Sequence, residues 1–322
     1  MKTAVISFTD RGNNLNDRIC CFIDADGYKN AKNIIKLTEK IIKEYKAIVF
    51  IGAAGIAVRS IAPFIKSKDV DPAVIVCDEH GKYVIPILSG HIGGANSMAE
   101  MLALKIGGEA VITTATDING IWSVDNWAVR CGFTIANKEN IKYVSSALLR
   151  GEPIGLECDF KIDGKLPENV DFEIHETGFT ISPYLKKPFK NTLNLVPRCI
   201  NLGVGCKKGA KYKDMIGLFD SMGISDKAVK SISTIDIKKN EPAILALSEY
   251  INVPIYTYSA AELNSLEGEF SSSEFVRRIT GTDNVCERAA VMSGGKLIIK
   301  KVSANGITMA ASMSNIKIDF GV

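Results

Sequence analysis

Residues 85–96 read IPILSGHIGGAN, and this stretch indicates how the first half of the chain folds. An apolar run ends at Ser89-Gly90-His91, and two glycines follow it before a helical pattern begins. The next apolar positions recur at helical spacing, at Ala95, Ala99, Leu102 and Ile106. The stretch therefore predicts a strand, a glycine turn and a helix, the unit from which α/β proteins are built.

This glycine turn is the first candidate ligand site. The first backbone N–H groups of a helix have no partner within the helix, so the turn can hold an anion. It also follows a strand, and open α/β sheets bind their ligands at the ends of strands. We expect contacts from Ser89, Gly93, Gly94 and Asn96.

His91 is the sharpest candidate for chemistry among three histidines. Imidazole titrates near neutral pH, so this side chain can act as a base, an acid or a metal ligand. The alternative is that His91 hydrogen-bonds the loop and only holds the turn. Asp117 follows another predicted strand, where a carboxylate serves either as a base or as a helix cap.

Composition excludes several classes of protein. The chain has 322 residues, 46% of them hydrophobic and 23% charged, with a formal net charge of +3. This charge is too small and too dispersed for a nucleic-acid-binding protein. No signal peptide and no membrane-spanning segment are expected. Eight cysteines without a C-x-x-C pair predict neither a zinc site nor a disulfide framework, and indicate a reducing cytoplasm.

The pattern of apolar runs predicts the domain organisation. Strand-like and helix-like stretches alternate through residues 1–136, and again through residues 197–322. The intervening residues 137–196 are more polar and contain several prolines. We therefore expect an α/β protein in which two α/β domains with mainly parallel sheets are joined by a small irregular β-containing middle module.

Two further glycine turns resemble the first in pattern. Gly52 and Gly55 follow a buried-type strand, and Arg59 comes early in the helix after them, where it can bind a carboxylate or simply face solvent. Gly205 begins the turn that contains Lys207-Lys208, which can capture an anion or remain solvated. None of the turns matches G-x-G-x-x-G or the phosphate-binding P-loop, so a standard dinucleotide or nucleoside triphosphate site is not predicted.

A last group of candidates is charged. Lys238, Glu241 and Glu287 could line a cleft, or they could form ordinary surface pairs of little energetic value. Cys206 lacks an obvious partner base, which favours a spectator thiol over a nucleophile.

Several long motifs resemble those of the cobalt-precorrin-5A hydrolase family of anaerobic cobalamin biosynthesis. In the first half the resemblance rests on GAAGIAVR at residues 52–59, KDVDPAV at 68–74, LSGHIGGAN at 88–96 and TTATD at 113–117. In the second half it rests on GVGCKKG at 203–209, IDIK at 235–238, NEP at 240–242 and VCERAA at 285–290. It extends along the chain and is weakest in the middle.

The resemblance implies an activity. Family members open the ring A lactone of a cobalt-containing, ring-contracted tetrapyrrole and release the C20 fragment as acetaldehyde. This implies catalytic roles for His91, Asp117 and Glu287. It also implies that the glycine turns, with Arg59, Lys207, Lys208, Lys238 and Glu241, anchor the substrate. Cobalt belongs to that substrate, so we expect neither a cofactor nor a resident metal.

Two other classes of function compete with this interpretation. A non-catalytic carrier of the same pathway would bind the cobalt-corrinoid without turnover. A nucleotide-dependent oxidoreductase or transferase would need phosphate-binding motifs that the sequence lacks. For the hydrolase we expect a cytoplasmic protein in transient contact with other enzymes of the pathway, and no nucleic-acid or membrane partner.

Overall fold

The computed structural model describes residues 2–67, 70–90, 93–113 and 121–321. His91 and Asp117 lie outside these residues. The contacts divide the chain into two compact units, Met1–Asn126 and Trp127–Val322. The domain boundaries expected after residues 136 and 196 stay predictions. Among the described helices, none is long and apolar enough to cross a membrane.

A six-stranded sheet forms the centre of the first unit. Its strands are β1 (Thr3–Ser7), β2 (Ala25–Tyr28), β3 (Ala47–Ile51), β4 (Ala73–Cys77), β5 (Tyr83–Leu88) and β6 (Glu109–Ala110). They follow the order β2-β1-β3-β4-β5-β6, and β1 to β4 run parallel to one another. Every residue of β1, β3 and β4 is buried, as expected for a parallel sheet covered on both faces.

Among the described residues of this unit, four α-helices pack on the sheet. They are α1 (Asp10–Phe22), α2 (Ile34–Glu44), α3 (Ala54–Ile61) and α4 (Ala95–Ile106). Ile19 of α1 and Leu102 of α4 belong to one apolar cluster, whereas Ile41 of α2 and Ile61 of α3 belong to another. The helices thus pack in pairs on the two faces of the sheet, and the predicted α/β class is confirmed.

The strand before the first glycine turn is an exception to the parallel arrangement. β5 is antiparallel to β4, so that Leu88 lies beside Val74 and Val84 lies beside Cys77. The connection consists of residues 78–82 only, and it is too short for the crossover that parallel strands require. The end of β5 therefore lies at the opposite edge of the sheet from the ends of β1, β3 and β4.

The first part of the second unit contains its own sheet. The strands are β7 (Thr134–Ile135), β8 (Ile154–Cys158), β9 (Lys161–Asp163), β10 (Val170–Asp171), β11 (Thr177–Ile181) and β12 (Asn191–Val196). All but β9 form a sheet in the order β10-β8-β11-β12-β7, which is parallel except for β7. Helix α5 (Val124–Arg130) precedes it, and helix α6 (Ile141–Leu149) lies between β7 and β8 in the chain. The module is β-containing, as predicted. It is more regular than the sequence pattern indicates, because β7 and β10 have two residues each and leave no periodicity.

A second sheet completes this unit. Its strands are β13 (Ile200–Cys206), β14 (Val229–Ile235), β15 (Ile255–Tyr258), β16 (Lys296–Ala304) and β17 (Ile307–Met313), in the order β15-β14-β13-β17-β16. The helices are α7 (Tyr212–Ser221), α8 (Pro242–Ile251), α9 (Ala260–Asn264), α10 (Glu274–Thr280) and α11 (Cys286–Met292). β16 and β17 form a hairpin whose turn is Asn305-Gly306, a residue pair that favours such turns, and both turn residues have positive φ.

The end of the chain joins the two sheets of the second unit. The last strand, β18 (Lys317–Asp319), pairs in parallel with β9. The indole of Trp127 stacks on Phe320 with 4.7 Å between ring centroids, and its Nε1 donates to the Asp319 carbonyl at 2.9 Å. Residues that are distant in sequence therefore hold the middle module and the last sheet together.

Candidate functional site

A cavity of about 880 Å³ lies beside the last sheet of the second unit, where strands β13 and β14 end. Its walls come from the turn after β13, the turn after β14, helix α10, the start of α11 and the β16–β17 hairpin. Four predicted substrate-binding residues line it together, namely Gly205, Lys207, Lys208 and Lys238. They meet because β13 and β14 are parallel neighbours, so the turns that follow them reach the same edge of the sheet.

Glu241 organises this edge from behind. Its Oε1 accepts the backbone N–H of Gly209 at 2.8 Å, and its Oε2 lies 3.2 Å from Nζ of Lys238. Gly209 has a φ of 70°, a conformation that favours glycine. Glu241 is buried and is not among the lining residues. It therefore fixes the lysine turn and Lys238, rather than presenting its carboxylate to a ligand.

The cavity carries an excess of positive charge. Lys207, Lys208 and Lys301 line it, and none of the three forms an ion pair within the described part of the chain. Asp283 also lines it, but its carboxylate is paired with Nε of Arg288 at 3.0 Å. Ammonium groups without a close carboxylate partner attract anions at a partly enclosed surface, and low-dielectric walls strengthen that attraction. The charge of Lys301 is partly balanced by the carboxylate of Glu287.

Glu287 lies behind the same cavity and is fully buried. Its Oε1 accepts from Oγ of Ser271 at 2.8 Å and from the backbone N–H of Lys301 at 2.7 Å, while its Oε2 accepts from the backbone N–H of Ser271 at 2.8 Å. Burial alone would raise the pKa of Glu287, but these hydrogen bonds and the nearby positive charge of Lys301 outweigh it, and the pKa is lowered. This geometry favours a positioning role, and the predicted catalytic role stays a prediction.

The thiols at the cavity are not activated. Cys206 and Cys286 both line it. Burial raises the pKa of each thiol to about 11, and the nearby Lys238 offsets this only in part for Cys206. A thiol with a raised pKa is a weak nucleophile at neutral pH, because the thiolate is the reactive form. The structure thus favours the spectator interpretation of Cys206.

The two glycine turns of the first unit lie at opposite edges of its sheet. Residues 52–59 follow β3, and the N–H of Gly52 donates to the carbonyl of Cys77 at the end of β4. Ser89 follows the antiparallel β5, and its Oγ donates to the carbonyl of Asp71, which precedes β4. With about 3.3 Å per residue, a five-residue strand places these turns roughly 15 Å apart. The structure therefore does not bring the two turns together at one edge of the sheet.

Helix α3 begins with an open first turn. The N-cap residue Ala53 offers no side-chain acceptor, and Gly52 before it has a φ of 151°. The guanidinium of Arg59 folds back to 3.7 Å from the position that a Cβ of Gly55 would occupy. Arg59 is exposed and has no ion-pair or hydrogen-bond partner among the described residues. A guanidinium above the positive end of a helix suits an anion bound between them.

The turn before α4 is closed upon itself. The N–H groups of Ala95 and Asn96 donate to the carbonyls of Ser89 and Gly90, at 3.2 Å and 3.0 Å. Gly94 has a φ of 80°, and a Cβ on Gly93 would collide with the Ser89 side chain. Two of the N–H groups on which the anion-binding prediction rests are therefore already used. His91, the residue of interest in this loop, lies outside the described residues.

One wall of the cavity is not predicted by the sequence. Helix α10 contributes Phe275, Val276, Ile279 and Thr280 to the lining, and β16 contributes Lys301. The helical spacing of Phe275 and Ile279 was visible in the sequence, but such pairs usually face a protein core. No sequence signal distinguishes a core-facing pair from one that faces a cavity.

Comparison with known proteins identifies the family. Three family models match successive parts of the chain: "Cobalamin synthesis G N-terminal" at residues 36–117, "Cobalamin biosynthesis central region" at 122–197 and "Cobalamin synthesis G C-terminus" at 200–312. The cobalt-precorrin-5A hydrolase of Salmonella typhimurium is 32% identical to this chain, over 84% of this chain and 83% of the relative. This chain belongs to the cobalt-precorrin-5A hydrolase family.

Two further relatives agree with that assignment. The cobalt-precorrin-5A hydrolase of Priestia megaterium is 30% identical, over 86% of this chain and 81% of the relative. A probable cobalt-precorrin-5A hydrolase of Methanocaldococcus jannaschii is 29% identical, over 98% of this chain and its own full length. The predicted family is confirmed, and the similarity extends through the middle module, where the motifs were weakest.

Proposed function

We propose that this protein is a cobalt-precorrin-5A hydrolase of cobalamin biosynthesis. The observation that carries the proposal is the 32% identity to the Salmonella typhimurium enzyme over most of both chains. The lysine-lined cavity supports it, because a tetrapyrrole intermediate combines an apolar ring with peripheral carboxylates. A polar rim on a largely apolar pocket is the usual arrangement for such a ligand.

We also propose the individual steps of the reaction. Water opens the lactone that joins the ring A acetate to the C20 position, and the C20 fragment leaves as acetaldehyde. The net change is the addition of one water molecule and the loss of one acetaldehyde molecule. This reaction needs a base for water, donors for the developing oxyanion and anchors for the carboxylates.

We assign these tasks to residues as follows. His91 and Asp117 are the candidates for proton transfer, since an imidazole or a carboxylate can accept a proton near neutral pH. Lys207, Lys208 and Arg59 are the candidates for binding carboxylates. Cobalt is carried by the substrate, so the reaction requires no other metal or cofactor.

The test is an anaerobic assay of acetaldehyde release from cobalt-precorrin-5A. Acetaldehyde is measured with a coupled alcohol dehydrogenase, and the corrinoid product is measured by mass spectrometry. Enzyme-dependent release, with the matching loss of a two-carbon fragment from the corrinoid, supports the hydrolase. Tight binding of the substrate without acetaldehyde supports the carrier alternative and overturns the proposal.

A further inference from the structure

Three large apolar side chains at the cavity of the second unit are exposed. Phe275 and Ile279 of α10 are 72% and 62% exposed, and Ile237 in the turn after β14 is 60% exposed. All three line the cavity. Phe275 and Ile279 are four residues apart, so they lie on one face of their helix. A soluble domain rarely leaves so much apolar surface together unless something binds there.

The walls that carry these side chains are fixed by buried hydrogen bonds. Glu287 holds the N–H of Ser271 before α10, and the N–H of Ser273 donates to the carbonyl of Asp283 at 3.1 Å. Nδ2 of Asn284 donates to the carbonyl of Ser271 at 2.9 Å. Glu287 also accepts from the N–H of Lys301 in β16. One buried carboxylate thus joins the apolar wall to a lysine-bearing wall, so the cavity is formed before any ligand arrives.

The occupant must match two different surfaces at once. Phe275, Ile279 and Ile237 offer an apolar area, whereas Lys207, Lys208 and Lys301 offer cationic groups without ion-pair partners in the described chain. A polyanion without an apolar part would pair with the lysines, but it would leave the apolar side chains exposed to water. A flat, apolar ring with carboxylates around its rim satisfies both, and a cavity of about 880 Å³ is large enough for a macrocycle of that kind.

We propose that the cavity of the second unit binds the tetrapyrrole, with its ring face against Phe275, Ile279 and Ile237 and its carboxylates on Lys207, Lys208 and Lys301. This inference deepens the proposed function and rests on it for the identity of the ligand. It assigns ring recognition to α10, which no motif indicates. It also makes Phe275 and Ile279 specificity-determining residues, because they distinguish a macrocycle from other polycarboxylates.

The test separates the ring from its charges by using three probes on the full chain. Cobyrinic acid is a corrin with free carboxylates, its methyl ester has the same ring without the charges, and mellitic acid is a polycarboxylate without a macrocycle. Binding is measured by calorimetric titration. The Phe275→Ala/Ile279→Ala variant removes the apolar wall, and the Lys207→Ala/Lys208→Ala variant removes part of the charge.

The matched control is Phe172→Ala/Ile174→Ala. These two apolar side chains are 64% and 86% exposed and do not line the cavity. All variants replace exposed side chains, so circular dichroism and urea unfolding should match the wild type. We expect Phe275→Ala/Ile279→Ala to weaken cobyrinic acid and its ester at least about tenfold, given the apolar area that each residue buries on binding. Mellitic acid should be unaffected by this variant, and the control should change binding of every probe less than about twofold.

The lysine variant should show the reverse pattern. Lys207→Ala/Lys208→Ala should weaken cobyrinic acid and mellitic acid, flatten their dependence on salt, and leave the ester unchanged. Unaltered affinity for cobyrinic acid in Phe275→Ala/Ile279→Ala overturns the inference, as does equal weakening in the Phe172→Ala/Ile174→Ala control.

The acetaldehyde assay distinguishes this inference from the proposed function. In one outcome the wild type releases no acetaldehyde but binds cobyrinic acid, and the Phe275→Ala/Ile279→Ala variant binds it more weakly. This outcome contradicts the enzyme proposal and supports the cavity assignment. A protein that releases acetaldehyde with the same KM in that variant and in the wild type supports the enzyme proposal and contradicts the cavity assignment.

Discussion

Replacing Glu287 should reveal whether this residue catalyses the reaction or positions the cavity. In Glu287→Gln the amide oxygen can stay at the Oε1 position and keep the bonds from Oγ of Ser271 and from the N–H of Lys301. The amide NH₂ then faces the N–H of Ser271, which loses its acceptor. In Glu287→Ala both backbone donors lose their acceptor.

The expected costs follow from these bonds. A buried donor without a partner costs about 1–3 kcal/mol. Ser271 and Lys301 are half-buried, and water can partly replace the carboxylate, so we take the lower part of that range. Glu287→Gln should lower the free energy of unfolding of the second unit by about 1 kcal/mol, and Glu287→Ala should lower it by about 2–4 kcal/mol.

The assay is urea unfolding of the full chain followed by circular dichroism, together with hydrogen exchange of the amides at Ser271 and Lys301. Glu274→Gln is the control, because that side chain is 86% exposed and its pair with Arg278 is a surface contact of little value. Turnover by Glu287→Gln should show a raised KM with kcat largely retained. Normal stability and normal exchange with a loss of kcat would refute the positioning role and support direct catalysis.

The lowered pKa of Glu287 predicts the direction in which stability changes with pH. The folded-state pKa is lowered, so the stabilisation is fully present above the ordinary glutamate pKa of about 4.3. It is lost as the pH falls through the folded-state pKa, because the protonated carboxyl accepts these bonds poorly. The stability difference between the wild type and Glu287→Gln should therefore shrink on acidification. A difference that grows towards acid pH contradicts the lowered pKa.

The remaining predictions concern the three glycine turns. His91→Ala should reduce acetaldehyde release far more than it reduces the urea midpoint, and near-normal turnover would exclude this histidine as the base. Gly90→Ala should lower acetaldehyde release, because a Cβ there would lie 2.7 Å from Oδ1 of Asn96 and would shift both this predicted substrate contact and the chain that leads to His91; turnover equal to that of the wild type would contradict it. Arg59→Ala should raise KM several-fold without altering unfolding, since its guanidinium has no described partner, and an unchanged KM would show that it is only solvated. Lys207→Ala/Lys208→Ala should raise the substrate KM and flatten its salt dependence, whereas an unchanged salt profile would remove both lysines from the site.

Local signals in the sequence predicted local structure well. Asn-Gly between two apolar runs favours a hairpin turn, and Asn305-Gly306 forms one. Proline favours the first position of a helix, which Pro242 occupies in α8. Serine followed three residues later by glutamate favours a capping box, and Ser259 with Glu262 forms it. These features depend on residues within one turn of each other, so neighbouring chemistry decides them.

Features that depend on distant pairing were harder to predict. The reversal of β5 had a usable signal, because residues 78–82 are too few for a crossover. The middle sheet had none, because β7 and β10 are short and their partners are far away in the chain. The apolar wall of α10 had no signal either, since exposure of Phe275 depends on which elements pack around it.

Because β5 is antiparallel to β4, the two glycine turns of the first unit also lie in different surroundings. The turn of residues 52–59 lies at the edge formed by the ends of β1, β3 and β4, has an uncapped helix and carries an exposed guanidinium. In the turn at the other edge, the N–H groups of Ala95 and Asn96 donate to carbonyl groups of the same loop. An anion is bound most strongly where N–H groups and a cation are still available, so we propose residues 52–59 as the stronger of the two candidate anion sites in this unit, and the contacts predicted for the other turn stay predictions. In the other turn, the hydrogen bonds from Ala95 and Asn96 to Ser89 and Gly90 fix the described chain on both sides of residues 91–92, and the catalytic role of His91 that we propose would need such a fixed loop.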